Sequence, residues 1–417
     1  MKKKTNSRSI FSQPAMRSIC AAAAALLLLA MALSGCVGTT PTSSPTTTSA
    51  TEAAATEAAE TTTAPAETTT APAETTTAPA AASGSELALI TDIGTIDDKS
   101  FNQGSWEGLV QYADEKGISH KYYQPVEQSD DAYLNTIDLA VQGGAKLIVT
   151  PGFLFGTPVF IAQDRYPDVA FVLVDDTPHD AEYSEFRTGP LTVGVLYAEQ
   201  QAGFLAGYAA VKDGLTKLGF MGGMAVPAVV RYGYGFVQGA DYAANELGLA
   251  DASIQINYHY TGGFDATPEA QALSASWYND GIEAIFACGG AVGNSVMAAA
   301  ESLGKKVIGV DVDQSDESPT VITSAMKGLQ ASVYDCVKKF YEGGFPGGQD
   351  LVFSAANDGV ALAMSTAKFD SFSQADYDAI YAELAADAIA IIADTDDNGS
   401  VELRSLPVAK VKVTEIG

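Results

Sequence analysis

Basic residues are scarce in this chain of 417 residues: 23 Lys and Arg stand against 51 Asp and Glu, a formal charge of -28. So acidic a protein is repelled by phosphate backbones, which excludes nucleic acid as a partner. The same field disfavours anionic solutes, and after Arg17 the only arginines are Arg165, Arg187, Arg231 and Arg404, so a neutral or cationic ligand fits better. Histidine is rarer still. His120, His179 and His259 are scattered along the chain, which argues against a shared His-based site. Four cysteines form neither a disulfide framework nor a metal-ligand pattern, so no metal or cofactor is expected. There is no Gly-x-x-x-x-Gly-Lys-Ser/Thr loop, no Gly-x-Gly-x-x-Gly after the first strand and no His-Glu-x-x-His, and so none of the enzyme chemistry those motifs carry.

The N-terminus holds Lys2, Lys3, Lys4, Arg8 and Arg17 and no acid, then an apolar stretch from Ile19 to Ala32 and the tetrapeptide Leu33-Ser34-Gly35-Cys36. That stretch is short of the ~20 residues of a membrane span and predicts a signal peptide over residues 1–35. Leu-Ser-Gly-Cys resembles the lipobox of bacterial lipoproteins, so Cys36 is the expected lipidation site, anchoring the chain at the extracytoplasmic face of the cell membrane. Cleavage leaves 18 basic against 51 acidic side chains, a formal -33. Cys20 departs with the leader, and Cys288 and Cys336 are expected to be two inert buried thiols. Residues 36–85 repeat Thr-Thr-Thr-Ala-Pro-Ala-Glu at Thr61 and Thr68 and, with Ala81 in place of Glu, at Thr75. Such a segment buries too little apolar surface to offset chain entropy, which predicts a disordered tether open to glycosylation on Thr.

From Glu86 onward short apolar runs alternate with helical patterns, the signature of parallel sheets. Strands are predicted at 87–93, 121–126, 146–150 and 170–174, with helices at 100–115, 131–142 and 157–165 between them. A second set comprises a small-residue helix at 202–211, strands at 217–221, 254–260, 284–288 and 307–312, and helices at 233–247, 268–278 and 295–303. The fold class is therefore α/β, two doubly wound lobes with a ligand cleft between them. The first lobe is expected over 86–190 plus a returning segment within 320–365, and the second over 191–319 plus the C-terminal segment.

Four segments occupy strand ends, where open α/β sheets bind ligands: Thr91 to Gln103, Val174-Asp175-Asp176, Gly289 to Asn294, and Gly309 to Gln314. Asp at such turns routinely caps a helix, but four clusters in one chain tilt towards a site. Phe101 has two readings, a staple into the core or an exposed ring for a planar ligand. Asp394-Thr395-Asp396-Asp397-Asn398-Gly399 imitates a calcium loop, yet Ser405 stands where the bidentate Glu belongs, so an Asn-Gly hairpin is expected instead.

Asp97-Asp98-Lys99-Ser100-Phe101-Asn102, the Gly222-Gly223 turn, Arg231-Tyr232-Gly233-Tyr234-Gly235-Phe236 with Gly239, the Asp-x-Asp-Gln element at Asp311, and Thr323-Ser324-Ala325-Met326-Lys327 together resemble the basic membrane protein family of lipoproteins. That family includes the purine nucleoside receptors of ABC importers, and the resemblance runs over about 87–362. It implies a type I periplasmic-binding-protein fold, no catalysis, and a monomer that delivers a nucleoside to permease subunits. Carried onto matching positions, Phe101 and Tyr232 would stack on the base, Asn102 and Asp92 would bind its edge, and Asp175, Gly290, Asp311 and Lys327 would hold the sugar. The family more usually has Phe where Tyr232 stands. Alternatives are a receptor for a sugar or another small signal on the same fold, and a nucleoside hydrolase.

Overall fold

The computed structural model of the protein describes residues 84–396 and 399–417. The expected signal peptide, the expected lipidation site Cys36 and the expected tether up to residue 83 lie outside the described residues, as do Asp397 and Asn398. In chain order the first elements are β1 (Leu87–Ile90), α1 (Phe101–Lys116), β2 (His120–Tyr123), α2 (Asp130–Gln142), β3 (Leu147–Pro151), α3 (Gly156–Arg165), β4 (Ala170–Val174) and β5 (Thr192–Tyr197). Every residue of β1, β3 and β4 is buried, because helices cover both faces of the sheet.

Next come α4 (Glu199–Lys212), β6 (Lys217–Gly222), α5 (Pro227–Glu246), β7 (Ile254–Tyr260), α6 (Pro268–Asn279), β8 (Ala284–Cys288), α7 (Val292–Leu303), β9 (Lys306–Asp311) and β10 (Val321–Lys327). The chain finishes with α8 (Leu329–Glu342), β11 (Gln349–Phe353), β12 (Val360–Leu362), α9 (Gln374–Ala385), the short pair β13 (Thr395–Asp396) and β14 (Gly399–Ser400), and β15 (Val411–Glu415). Local signals set many helix ends. Ser129 and Thr267 cap α2 and α6 by accepting from Ala132 N and Ala270 N at 3.2 and 3.1 Å, Pro227 and Pro268 open α5 and α6, and Gly117 and Gly304 close α1 and α7 in the left-handed conformation.

One sheet runs β11-β5-β4-β3-β1-β2 with all strands parallel, and the other runs β12-β10-β9-β8-β6-β7-β15 with only β12 antiparallel. These sheets and their helices are the two lobes. One segment joins a different sheet from the one expected, and the returning segment within 320–365 consists of α8 and β11. Strand β5 extends the first sheet, Val193 standing opposite Val172 of β4, so the first lobe runs past residue 190. Strand β10 belongs to the second sheet, paired with β9. Helix α5 begins at Pro227 rather than 233, because its interior glycines serve packing and do not interrupt the helix.

That packing is a seam between α4 and α5. A methyl group on Gly203 or Gly207 would strike the carbonyl oxygens of Tyr232 and Phe236, and one on Gly235 or Gly239 those of Gln200 and Phe204. Spaced four apart on each helix, these glycines let the two backbones touch and so fix Tyr232 against the start of α4. Three crossovers join the lobes, at Ala198, at Gly328 and over residues 354–359. They are tied to their neighbours: Ala198 N donates to Phe353 O at 2.8 Å and Gly328 N to Gly359 O at 2.9 Å.

Cys288 and Cys336 are free and buried, as expected. Strands β13 and β14 pair antiparallel, Thr395 opposite Ser400 and Asp396 opposite Gly399; Asn398 of the expected Asn-Gly hairpin lies outside the described residues. No helix among the described residues is long and apolar enough to cross a membrane.

Candidate solute-binding site

Loops at the carboxyl ends of both sheets meet around a cleft, the place where open α/β sheets bind small molecules. The eight side chains and backbone positions singled out in the sequence all line it: Asp92, Phe101, Asn102 and Asp175 from the first lobe, Tyr232, Gly290, Asp311 and Lys327 from the second.

At the start of α1, Asn102 is locked by two acids. Its Nδ2 donates to Asp92 Oδ1 at 3.1 Å and to Asp98 Oδ2 at 3.0 Å, which fixes the amide orientation because its oxygen would be repelled there. The amide oxygen is buried and has no partner within the protein, so it is an open acceptor. Asp98 is a helix cap: its carboxylate accepts from the N–H groups of Ser100, Asn102 and Gln103 at 2.9, 2.9 and 3.1 Å. Burial raises the pKa of both Asp92 and Asp98, against the hydrogen bonds that oppose it.

The second cluster centres on Lys327, at the last residue of β10. Its ammonium pairs closely with Asp175 and lies 3.6 Å from Glu199 Oε1 and 3.7 Å from Asp311 Oδ1. Glu199, with 0% exposure, is bonded in turn by Arg231 Nε at 2.6 Å. Burial pushes Asp175 up to about 7 in spite of Lys327, and it raises Asp311 in the same way. Burial also opposes ionisation of Glu199, but Arg231 and Lys327 outweigh it and leave that carboxyl below its ordinary range. Desolvation works against the Lys327 ammonium, yet three carboxylates hold its pKa above normal. One oxygen of Asp175 is likewise buried and unpartnered within the protein.

The lobes clasp each other beside these groups. Ser100 Oγ donates to Asp311 Oδ2 at 2.5 Å. Gln314 Nε2 donates to Lys99 O at 2.7 Å, and Lys99 Nζ lies 3.5 Å from Glu317.

Ring positions refine the expectation. Phe101 both packs on the core and lines the cleft, its ring 4.7 Å from Lys327 Nζ. Tyr232 meets the same cation at 5.5 Å but is only 1% exposed; it stands edge-on to Phe286 at 5.8 Å and its hydroxyl donates to Ala325 O at 3.3 Å. Two further lining rings, Phe153 and Phe264, were not singled out in the sequence and are half-buried. Phe264 follows Gly262-Gly263 at a strand end, a signal of the same kind as those that were read. Glu199 was missed as well, because an acid in the first turn of a helix is ordinary and carries no signal of a site.

Two α/β lobes, three crossovers and a cleft at the strand ends define a type I periplasmic-binding-protein fold. A crystal structure of an ABC transporter solute-binding protein from Aeropyrum pernix K1 has this fold, with a TM-score of 0.63 and 22% identity over 75% of this chain and 94% of that one. Residues 85–393 match the family described as "ABC transporter substrate-binding protein PnrA-like", and the chain belongs to that family. The "ABC transporter nucleoside-binding protein BmpA" of Lactococcus lactis subsp. cremoris is 30% identical over 303 residues, 67% of this chain and 82% of that one. "Basic membrane protein D" of Borreliella burgdorferi is 28% identical over 295 residues, 69% of this chain and 81% of that one.

Proposed function

We propose that the cleft captures a purine nucleoside outside the membrane, to which Cys36 anchors the chain, and presents it to an ABC permease without breaking a bond. The observation that carries this reading is the pairing, in one cleft, of aromatic rings from both lobes with a carboxylate–lysine cluster. A flat apolar slot suits a base, and acceptors around an ammonium suit ribose hydroxyls. The Asn102 amide oxygen, which no protein group satisfies, would accept from an N–H on the base edge. A relative named for nucleoside binding supports the same ligand class.

Phe101 forms one wall. Among the second-lobe rings Phe264 is the better stacking partner, since Tyr232 is committed to Phe286 and Ala325. Stacking is worth ~1–3 kcal/mol per ring and hydrogen bonds to charged groups ~1.5–3 kcal/mol each, enough for tight binding by a cleft that needs little reordering.

Titration calorimetry of the full chain with inosine, adenosine, guanosine, cytidine and ribose tests the proposal. Purine nucleosides are expected to bind most tightly. Absence of binding by any nucleoside, or ribose binding as tightly as inosine, rejects it.

A further inference from the structure

Four residues of α5 hold the C-terminal segment, and they lie on one stripe of the helix, at positions 231, 234, 238 and 241. Arg231 Nη1 lies 3.5 Å from Asp394. Tyr234 Oη donates to Val401 O at 2.9 Å, and Gln238 exchanges two bonds with the backbone of Ile392 at 2.8 and 2.9 Å. Asp241 accepts from Ala409 N and Lys410 N at 2.8 and 2.6 Å. Beyond them β15 pairs along β7 over five residues, from Val411 opposite Ile254 to Glu415 opposite Tyr258. The family match covers residues 85–393, so Asp394 and strand β15 lie beyond it.

The upper end of that stripe enters the binding site. Arg231 holds Asp394 with one nitrogen and Glu199 with another, and Glu199 faces the ammonium of Lys327. Glu199 does not line the cleft, whereas Lys327 does. A guanidinium gripped from two sides is fixed in plane and direction.

We propose that Asp394 is a positioning residue for solute binding: by clamping Arg231 it sets Glu199 and, through it, the Lys327 ammonium, so that the C-terminal segment is a working part of the site. This inference rests on the nucleoside reading for its choice of probe. The charged groups that share this network are Arg231 and Asp394, Lys327, Asp175 and Asp311, with Asp176 near Arg231 and the hydroxyls of Tyr197 and Tyr232 beside Glu199. Their summed charge is negative, and a negative charge favours retention of a proton on the cluster. Neutralising Asp394 therefore releases that proton at lower pH.

The test uses the full chain carrying Asp394→Asn, Asp394→Glu or Asp241→Asn. Asp241 anchors the same segment but touches none of the site charges, so its loss reports on attachment alone. Asp394→Asn is expected to weaken inosine binding by about 2- to 30-fold, and to move the midpoint of the ligand-free stability–pH profile down by about 0.3–1 pH unit. Asp394→Glu restores both, and Asp241→Asn lowers the Tm with the midpoint unmoved. Wild-type affinity and midpoint in Asp394→Asn overturn the proposal, and so does a loss of affinity that Asp241→Asn reproduces in full. If the wild-type chain binds no nucleoside, the nucleoside reading falls, and the midpoint measured without ligand still decides whether Asp394 acts on the charge cluster.

Discussion

Asp175 at the end of β4 and Asp311 at the end of β9 share one backbone conformation, left-handed with φ of 69° and 66°, one in each lobe and both directed at Lys327. For non-glycine residues that conformation costs about 1–3 kcal/mol each, and here it turns both carboxylates back over the strand ends into the cleft. The lobes thus offer the ammonium a matched pair of acids.

Stability should fall as pH rises through the acid range. Buried Asp175 keeps its proton up to about 7, whereas the unfolded chain releases that proton near ~3.9, so the folded state holds one more proton between these values. Stability is then lost at up to ~1.4 kcal/mol per pH unit from about pH 4 towards 7 and levels off above. Urea unfolding of wild type and Asp175→Asn at pH 4 to 8 measures it; equal slopes for the two proteins would contradict the assignment.

Lys327→Met should be among the most damaging substitutions in the chain. It leaves Asp175, Asp311 and Glu199 buried around an apolar side chain, and breaking such a cluster costs roughly 3–5 kcal/mol. The loss should be smaller at pH 5 than at pH 8, because protonation relieves the unpaired carboxylates. A variant with an unchanged unfolding midpoint at pH 8 would show that the cluster is solvated.

Gly235→Ala should cost at least 1–3 kcal/mol, an approximate penalty for overpacking, because its methyl meets the Gln200 carbonyl. Solute affinity should drop with it, since the seam sets Glu199 and Tyr232. Gly293 lies within α7 with its nearest neighbour 3.8 Å from an added methyl, so Gly293→Ala should be neutral or slightly stabilising, by ~0.5–1 kcal/mol. Thermal melts of the two variants compare them directly, and equal Tm values would refute the close approach of the helices.

Phe101→Ala and Phe264→Ala should each weaken nucleoside binding by ~1–3 kcal/mol, to a similar degree for every base. Tyr232→Phe removes only the bond to Ala325 O and should leave affinity nearly unchanged. Asn102→Ala should weaken bases unequally, according to whether their edge carries an N–H for its oxygen. Calorimetry across four nucleosides separates these patterns; equal losses for all bases in Asn102→Ala would remove its role as a reader.

Strand–helix alternation made both lobes legible in the sequence, since runs such as Ala170–Val174 and Ala284–Cys288 are apolar throughout and bounded by turn residues. Strand β5 was not read as a strand at all, and the sheet that residues 192–197 join was not legible. Parallel pairing is non-local, and an apolar run fits the edge of either sheet. The eight cleft positions came from strand ends and family motifs, which mark the mouth of such sheets. Glu199 and Phe264 were hidden for different reasons: Glu199 acts from behind Lys327 without lining the cleft, and Phe264 sits in a loop whose path depends on packing. Strand β15 was invisible because its Val-Lys-Val-Thr-Glu alternation is short and charged.

The knotting of the three crossovers, Ala198 to Phe353 and Gly328 to Gly359, restricts how the two halves travel. Cords lashed together act as a single joint, which favours swinging of one half over the other as the way such a cleft opens and shuts.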